Sequence, residues 1–434
     1  MIAEVRLWGS TIGAVSQDVG NTIAQFEYGE EFLESGIELS PVMMPLRAGV
    51  YAFPELSRQG FAGLPGLLSD SLPDKFGSAI INAWLARERR TPDSFNAVDR
   101  LCYIGTRGLG ALEFQPSEGP VFKKESALEV AELVRIASEV LSNRYAISAN
   151  FGKKKKQDAL LDIMRVGTSA GGARAKAVIA WNRDTNEVRS GQVNTGPGFE
   201  HWLLKFDGVS NNRDHELADP KGFGAIEYAY SLMAKRAGIE MTECRLLEEC
   251  GRRHFMTRRF DRPTASTKLH MQSLGALGHY DFNMPGAYSY EMALTMISRL
   301  ELPRKAQLEQ VRRMLFNVVA RNQDDHVKNI AFLMGRDGIW RLSPAYDIMY
   351  SFNPDGDWTS RHQMTINSKQ DEFTIADFVK CASVVRIAPS TVTDILEEVI
   401  EAVSGWPDIA SEVGIPEIVI REIGSNHRLR FKVR

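Results

Sequence analysis

The segment Asn322-Gln323-Asp324-Asp325-His326-Val327-Lys328-Asn329 gathers two carboxylates, an imidazole, an ammonium and side-chain amides in one short run. Phosphoryl transfer to a hydroxyl needs an Asp that accepts the hydroxyl proton and, several residues on, an Asn that ligates Mg²⁺. Asp324 and Asn329 stand at that spacing. Asp347, in Ser343-Pro344-Ala345-Tyr346-Asp347, offers a second oxygen ligand. Pairing Ile330–Met334 with Ile339–Leu342 about the four-residue turn Gly335–Gly338 puts Asn329 opposite Pro344, with Asp347 three residues beyond. Two oxygen donors converging near a base suit a hard cation that also binds ATP phosphates. A metal hydrolase would want a second histidine at ligand spacing, and none stands near His326. Taken singly, Asp324 and Asn329 are ordinary turn formers. Their company decides the reading.

That company lies upstream. Leu160–Val166 reads as a strand, and Gly167–Ala175 as a loop of mostly small residues. Lys176–Trp181 is a second strand, and Trp202-Leu203-Leu204-Lys205-Phe206 is a third that carries a lysine inside an apolar run. A helix over 225–237 follows, with Glu227 in its first turns. This is the order of a kinase small lobe. The loop lets backbone N–H groups approach phosphates. Lys205 neutralises the α/β-phosphates and Glu227 holds Lys205. The loop is not a Walker A loop, because Gly-Lys-Ser/Thr is missing and a strand follows it.

The remaining elements must carry these groups. A helix over Lys305–Arg321 repeats Leu308, Val311, Leu315, Val318 and Val319 on one face, and aims the 322–329 loop. Residues 253–260 read as a strand leaving the small-lobe sheet, and the chain from Thr374 on is mostly helical. Before all this, Ala3–Trp8 alternates as a strand. A helix around 78–90 ends in Arg87-Glu88-Arg89-Arg90, where basic residues suit the helix C-terminus. The expected fold is α+β: a protein-kinase-like two-lobe fold with an additional N-terminal β-rich subdomain and an all-α C-terminal lobe. The expected units are 1–118, 119–260 (small lobe) and 261–434 (large lobe, mostly helical).

A net charge of −3 over 434 residues does not announce a nucleic-acid binder. The four cysteines are scattered and form no C-x-x-C pair, so neither a zinc site nor a disulfide framework is read, which fits a reducing cytoplasm. The sequence displays neither a signal peptide nor a membrane span. Lys153–Lys156 reads as a solvated basic run.

At these residues the chain resembles the HipA family of bacterial serine/threonine kinases, the toxin half of HipA–HipB modules. Leu68-Ser69-Asp70-Ser71-Leu72-Pro73-Asp74 is similar to the family's N-terminal signature, and Ser169–Lys176 to its phosphate loop. Asp324–Asn329 resembles its D-x-H-x-K-N loop, and Leu342–Asp347 its L-x-P-x-Y-D segment. The resemblance implies that Asp324 is the catalytic base, with Asn329 and Asp347 as Mg²⁺ ligands. It implies ATP contacts from Gly171, Gly172, Ala173, Lys205, Arg258, Phe260, His326, Lys328, Asn329, Tyr346 and Asp347, with Arg258–Phe260 as the adenine hinge. Ser169 matches the loop serine whose autophosphorylation inactivates the family's enzymes, and Thr168 stands beside it. Arg174 stands where the family usually has Gln. Asp325 fills a variable position and is expected to face solvent. The implied partners are a small helix-turn-helix antitoxin of HipB type, DNA only through it, and a protein substrate such as an aminoacyl-tRNA synthetase; no membrane is implied. Two other readings stand beside this one: a small-molecule phosphotransferase of the aminoglycoside kind, and a pseudokinase corepressor or scaffold.

Overall fold

In the computed structural model the chain begins as an antiparallel sheet that its own residues 112–115 later close. The structure describes residues 1–18, 20–120, 128–141, 163–164, 166–167, 174–192, 196–209, 213–214, 217–218, 222–264 and 267–433. Strands β1 (Ile2–Leu7), β2 (Ser10–Ser16), β3 (Gln25–Tyr28), β4 (Val50–Tyr51) and β5 (Leu112–Gln115) form a sheet in the order β4-β3-β2-β1-β5. In β1, Ala3, Val5 and Leu7 point inward while their neighbours are more exposed, the period-two pattern of a half-buried strand. Between β4 and β5 run the helices Lys75–Arg87 and Ala97–Ile104. Asp74 caps the first by accepting from Gly77 N–H at 2.6 Å. Asn96 and Asp99 form a capping box on the second.

The next sheet holds β6 (Lys176–Asn182), β7 (Val188–Ser190), β8 (Phe199–Lys205), β11 (Cys244–Glu249) and β12 (Arg252–Arg258), in the order β11-β12-β8-β6-β7. A short ribbon pairs β9 (Arg213–Asp214) with β10 (Leu217–Ala218). The helix Phe223–Arg236 packs on this sheet. The expected strand over 160–166 is overturned where it is described. Ile163, Met164 and Val166 are helical, and Gly167 N–H donates to Ile163 O at 2.8 Å. Leu160, Ile163 and Met164 recur at i, i+3 and i+4, a helical period, with Asp162 and Arg165 between the apolar residues. Ile163, Met164 and Val166 sit in a core with Phe76 and Ile80 of the helix Lys75–Arg87 and with the helix Val130–Leu141. Burial of side chains such as Phe76 and Ile80 contributes about 2–3 kcal/mol each.

The large lobe is mostly helical but not all-α. A three-stranded antiparallel sheet joins β13 (His270–Ser273), β14 (Ala331–Met334) and β15 (Trp340–Leu342) in the order β13-β14-β15. The hairpin register is also one residue off the expected one. Met334 pairs Trp340, so the turn has five residues and includes Ile339. Asp337 makes the difference: its carboxylate accepts from Ile339 N–H at 3.1 Å, and Gly338 takes φ +71°. An Asx turn followed by a left-handed glycine lengthens the loop by one residue. The helices Tyr290–Arg299 and Arg304–Val319 lie before the hairpin, and Ile375–Ser383, Pro389–Ser404, Trp406–Val413 and Glu417–Asn426 after it. One apolar core runs from β1–β5 through Leu64, Leu67 and Leu68 to Leu274, Leu277 and the large-lobe helices. The N-terminal part thus packs on the large lobe through this core and on the small lobe through Phe76 and Ile80.

Candidate active site

β8 ends on Lys205 and β6 begins on Lys176, and the two lysines are register partners. Both are buried, at 8% and 2% exposure. A buried ammonium needs a counter-charge. Lys205 Nζ donates to Glu227 Oε1 at 2.5 Å, and also to Asp347 Oδ1. Burial pulls the Lys205 pKa down, but Asp347 and Glu227 outweigh it and hold the ammonium charged above its ordinary range. Burial likewise opposes the charge on Asp347, and Lys205 and then Lys176 hold it well below the usual carboxylate range. Asp347 sits at φ +51°, a left-handed conformation that Asp tolerates better than most residues. Lys176 also lies 3.9 Å from Asp74, the cap of the N-terminal helix. Arg174 lies over Phe223, its guanidinium 3.8 Å from the ring centre. That stack ties the end of the loop segment to the start of the Glu227 helix.

The helix Arg304–Val319 delivers the chain to Asn322, whose N–H donates to Asn317 O at 2.9 Å. The loop then folds on itself. His326 N–H donates to Asp324 O at 3.0 Å, and Asn329 Nδ2 donates to the same carbonyl at 2.8 Å. The amide nitrogen of Asn329 is thereby used inward, which leaves its Oδ1 as the acceptor side. Trp358 Nε1 donates to Asp324 Oδ1 at 2.7 Å. Lys328 Nζ lies 4.5 Å over the Phe282 ring, and the same ring is 5.5 Å from His326. Tyr346 O–H donates to Lys328 O at 2.5 Å, and its ring packs 5.7 Å from Phe260.

Asp325 does not face solvent. It is 3% exposed and accepts from Tyr290 O–H at 2.7 Å, Gln363 N–H at 2.8 Å and, on its imidazole side, pairs with His362 Nδ1 at 2.9 Å. Asp324 lines the cavity, while its neighbour Asp325 thus points into the lobe. There three donors meet its charge.

One cavity of about 920 Å³ joins the pieces. Lys205, Glu227, Arg258, Phe260, Asp324, His326, Lys328, Asn329, Tyr346 and Asp347 all line it. Ser169, Gly171, Gly172 and Ala173 lie outside the described residues, as do Thr168 and Lys153–Lys156. The N-terminal signature reaches the same cavity. Asp70 accepts from Ser273 N–H at 2.7 Å and Ser273 O–H at 3.0 Å, and Ser273 caps the helix Leu274–Gly278.

Sequence reasoning passed over Lys176, Trp358, Phe282 and the Asp325 donors. Lys176 carried the same signal as Lys205, a lysine at the end of an apolar strand. Trp358 and His362 lie in a stretch without periodicity, where only the tertiary fold gives them a role.

Two family descriptions cover most of the chain: "HipA N-terminal domain" matches residues 3–115 and "HipA-like C-terminal domain" matches residues 168–406. The chain belongs to the HipA family. Among solved structures, this HipA-family chain is similar to the HipA of a Shewanella oneidensis MR-1 toxin–antitoxin complex of HipA, HipB and operator DNA. The TM-score is 0.68 at 17% identity, over 98% of this chain and 95% of that one. The fold is therefore the α+β fold of that HipA. A Helicobacter pylori proinflammatory kinase, CtkA, matches at a TM-score of 0.38 and 12% identity, over 59% of this chain and 90% of that one. No curated protein matches the chain. Among the described residues, no helix is long and apolar enough to cross a membrane.

Proposed function

We propose that this HipA-family chain is an ATP- and Mg²⁺-dependent protein serine/threonine kinase of toxin type. One observation carries the reading: Lys205 bridges Glu227 and Asp347 in the cavity that Asp324 and Asn329 also line. A lysine fixed by a helix glutamate and facing a metal-type aspartate is the arrangement phosphoryl transfer requires.

The donor set fits Mg²⁺. Asp347 is held ionised and Asn329 keeps an amide oxygen for a ligand. Among the described residues, no group of three or more His, Cys, Asp or Glu could hold a metal alone. That matches an ion held by one or two protein oxygens together with nucleotide phosphates. When bound, the ion neutralises charge on the phosphates.

Asp324 accepts the proton of the acceptor hydroxyl, and Trp358 fixes the rotamer that presents it. Lys205, Lys176, Lys328 and His326 all line the cavity and would bring positive charge to the phosphates. Arg258–Phe260 meets the adenine through main-chain groups. Ser169 is the autophosphorylation site. A dianion in a loop that contacts ATP repels the phosphates, so Ser169→Asp weakens ATP binding.

The partner is a small helix-turn-helix antitoxin of HipB type, and the chain meets DNA through it. The similar Shewanella oneidensis HipA was solved with HipB and operator DNA. The substrate is a component of translation, such as an aminoacyl-tRNA synthetase, in the cytoplasm. The test is phosphoproteomics after brief expression of wild type and of Asp324→Ala. Phosphosites present only with wild type support the kinase and name its target; identical phosphoproteomes refute it.

A further inference from the structure

The segment that leaves β12 is held from two directions. On the small-lobe side, Arg258 N–H donates to Glu243 O and Arg259 N–H to His201 O, both at 2.9 Å. On the other side the holder is the N-terminal part of the chain. Asp261 Oδ2 accepts from Gly110 N–H at 2.8 Å. Arg262 donates to Gly110 O at 2.8 Å and to Gly108 O at 3.0 Å. Arg259 grips Asp261 bidentately at 2.9 and 2.6 Å, and Arg262 reaches the same carboxylate at 2.8 Å. All three charged residues are buried, at 6%, 2% and 9% exposure. Further on, Lys268 donates to Glu113 at 2.6 Å and Thr106 O at 3.0 Å, and Trp8 donates to Lys268 O at 2.7 Å.

Phe260 lies between the two clamped residues. Its neighbours on both sides are fixed, and its ring packs on Tyr346, the residue before Asp347, in the wall of the cavity. We infer that the turn Gly108–Gly110 of the N-terminal subdomain positions the nucleotide hinge, acting through Asp261 and Arg262 on Phe260. Arg262 is a positioning residue: it touches no part of the nucleotide site, and binds the carbonyls that fix where the hinge stands. The turn has to be glycine at 110, where φ is +72° and a Cβ would press on Met271 N at 3.1 Å. A bidentate, buried, charge-assisted link of this kind transmits position well because each donor direction is fixed. The N-terminal subdomain is then part of the ATP site although it supplies none of the hinge residues. This inference rests on the kinase reading above.

The experiment is a double-mutant cycle on the full chain with R262Q, F260A and the two combined. ATP affinity is measured by calorimetry with Mg²⁺, alongside KM and kcat for transfer. R262Q leaves the Arg259–Asp261 pair and the Gly110 N–H to Asp261 bond in place and removes the bonds to Gly108 O and Gly110 O. Its expected effect is a rise in Kd and KM for ATP of roughly tenfold, with kcat within about twofold. Because Arg262 and the Phe260 ring hold the same hinge main chain, R262Q should cost less in the F260A background than in wild type. Full additivity of the two variants overturns the inference, and so does wild-type ATP affinity in folded R262Q. Should R262Q lose its cooperative thermal transition, R262K carries the same test, since it keeps the charge beside Asp261 but cannot reach both carbonyls. A wild-type chain that binds no ATP overturns the kinase reading itself; binding that R262 variants leave unchanged overturns only the positioning.

Discussion

Tyr290 O–H donates to Asp325 Oδ2 at 2.7 Å, and the same hydroxyl accepts from Asn317 Nδ2 at 2.9 Å. Asn317 Oδ1 in turn accepts from Asn322 Nδ2 at 2.9 Å, and Asn322 Nδ2 lies 3.5 Å from Asp347 O. One hydrogen-bonded path therefore runs from Asp325, beside Asp324, to the backbone of Asp347. It fixes the two carboxylates relative to each other. Tyr290→Phe removes the donor and keeps the ring. A hydrogen bond to a charged group is worth about 1.5–3 kcal/mol, so unfolding in denaturant should show a loss of that size. Transfer should slow with the KM for ATP unchanged. A Tyr290→Phe protein with wild-type kcat would mean the path does not set the loop.

Asp324→Ala removes the proposed base from a half-buried position at the mouth of the cavity. The expected result is loss of transfer by a factor of about 10²–10⁴, the usual worth of a positioned base. ATP affinity and the melting temperature should stay close to wild type. Trp358→Phe is the graded companion: it deletes the donor to Asp324 and keeps an aromatic ring, so kcat should fall by less than in Asp324→Ala. Undiminished autophosphorylation in Asp324→Ala would sink the assignment of the base.

Asp347 and Glu227 share one lysine but should fail differently. Asp347→Ala removes a proposed metal oxygen, so Mg²⁺ should no longer strengthen ATP binding in calorimetry. Glu227→Gln leaves the metal oxygens in place and loosens Lys205. Removing one partner of a buried pair costs about 3–5 kcal/mol, tempered here because Lys205 keeps Asp347. Glu227→Gln should therefore lower stability and raise the ATP KM while retaining the Mg²⁺ dependence. Identical Mg²⁺ profiles for the two variants would count against separate roles.

The sequence was legible where chemistry and periodicity coincided. Lys205 stood inside an apolar strand, Glu227 on the next helix, and Asp324 and Asn329 at kinase spacing, and all four line one cavity. The readings that failed did so for local reasons. Asp325 looks like any loop carboxylate until Tyr290, His362 and Gln363, distant in sequence, arrive around it. In the run ending at Val166, Asp162 and Arg165 interrupt the apolar residues, and Leu160, Ile163 and Met164 recur at the helical spacing that the strand reading passed over. The hairpin slipped by one residue because Asp337 folds an Asx turn that the Gly335–Gly338 count did not include. The third strand of the large-lobe sheet, His270–Ser273, is too short and too mixed to announce itself, and it pairs with Ala331–Met334 only in the folded lobe.

Acid should destabilise this chain before its carboxylates titrate. His254 is fully buried, and its Nδ1 accepts from Asp207 N–H at 2.9 Å, which requires the neutral ring. Burial pulls its pKa down to about 4, and burial does the same to His270. An unfolded histidine titrates near about 6.5. Between these two values the unfolded state binds more protons, so stability rises with pH across the window and falls as pH drops through it. At pH 5 each such histidine can cost up to about 2 kcal/mol. The depressed carboxylates Asp261 and Asp347 act lower, because their stabilisation is lost only below the unfolded carboxylate range. Thermal unfolding at pH 7.5, 6.0 and 5.0 should show a steady fall in melting temperature. His254→Asn keeps an acceptor for Asp207 N–H and cannot be protonated, so its curve should be flatter than wild type over the same range. A melting temperature that holds constant from pH 7.5 to 5.0 in wild type would mean the buried rings are not held neutral.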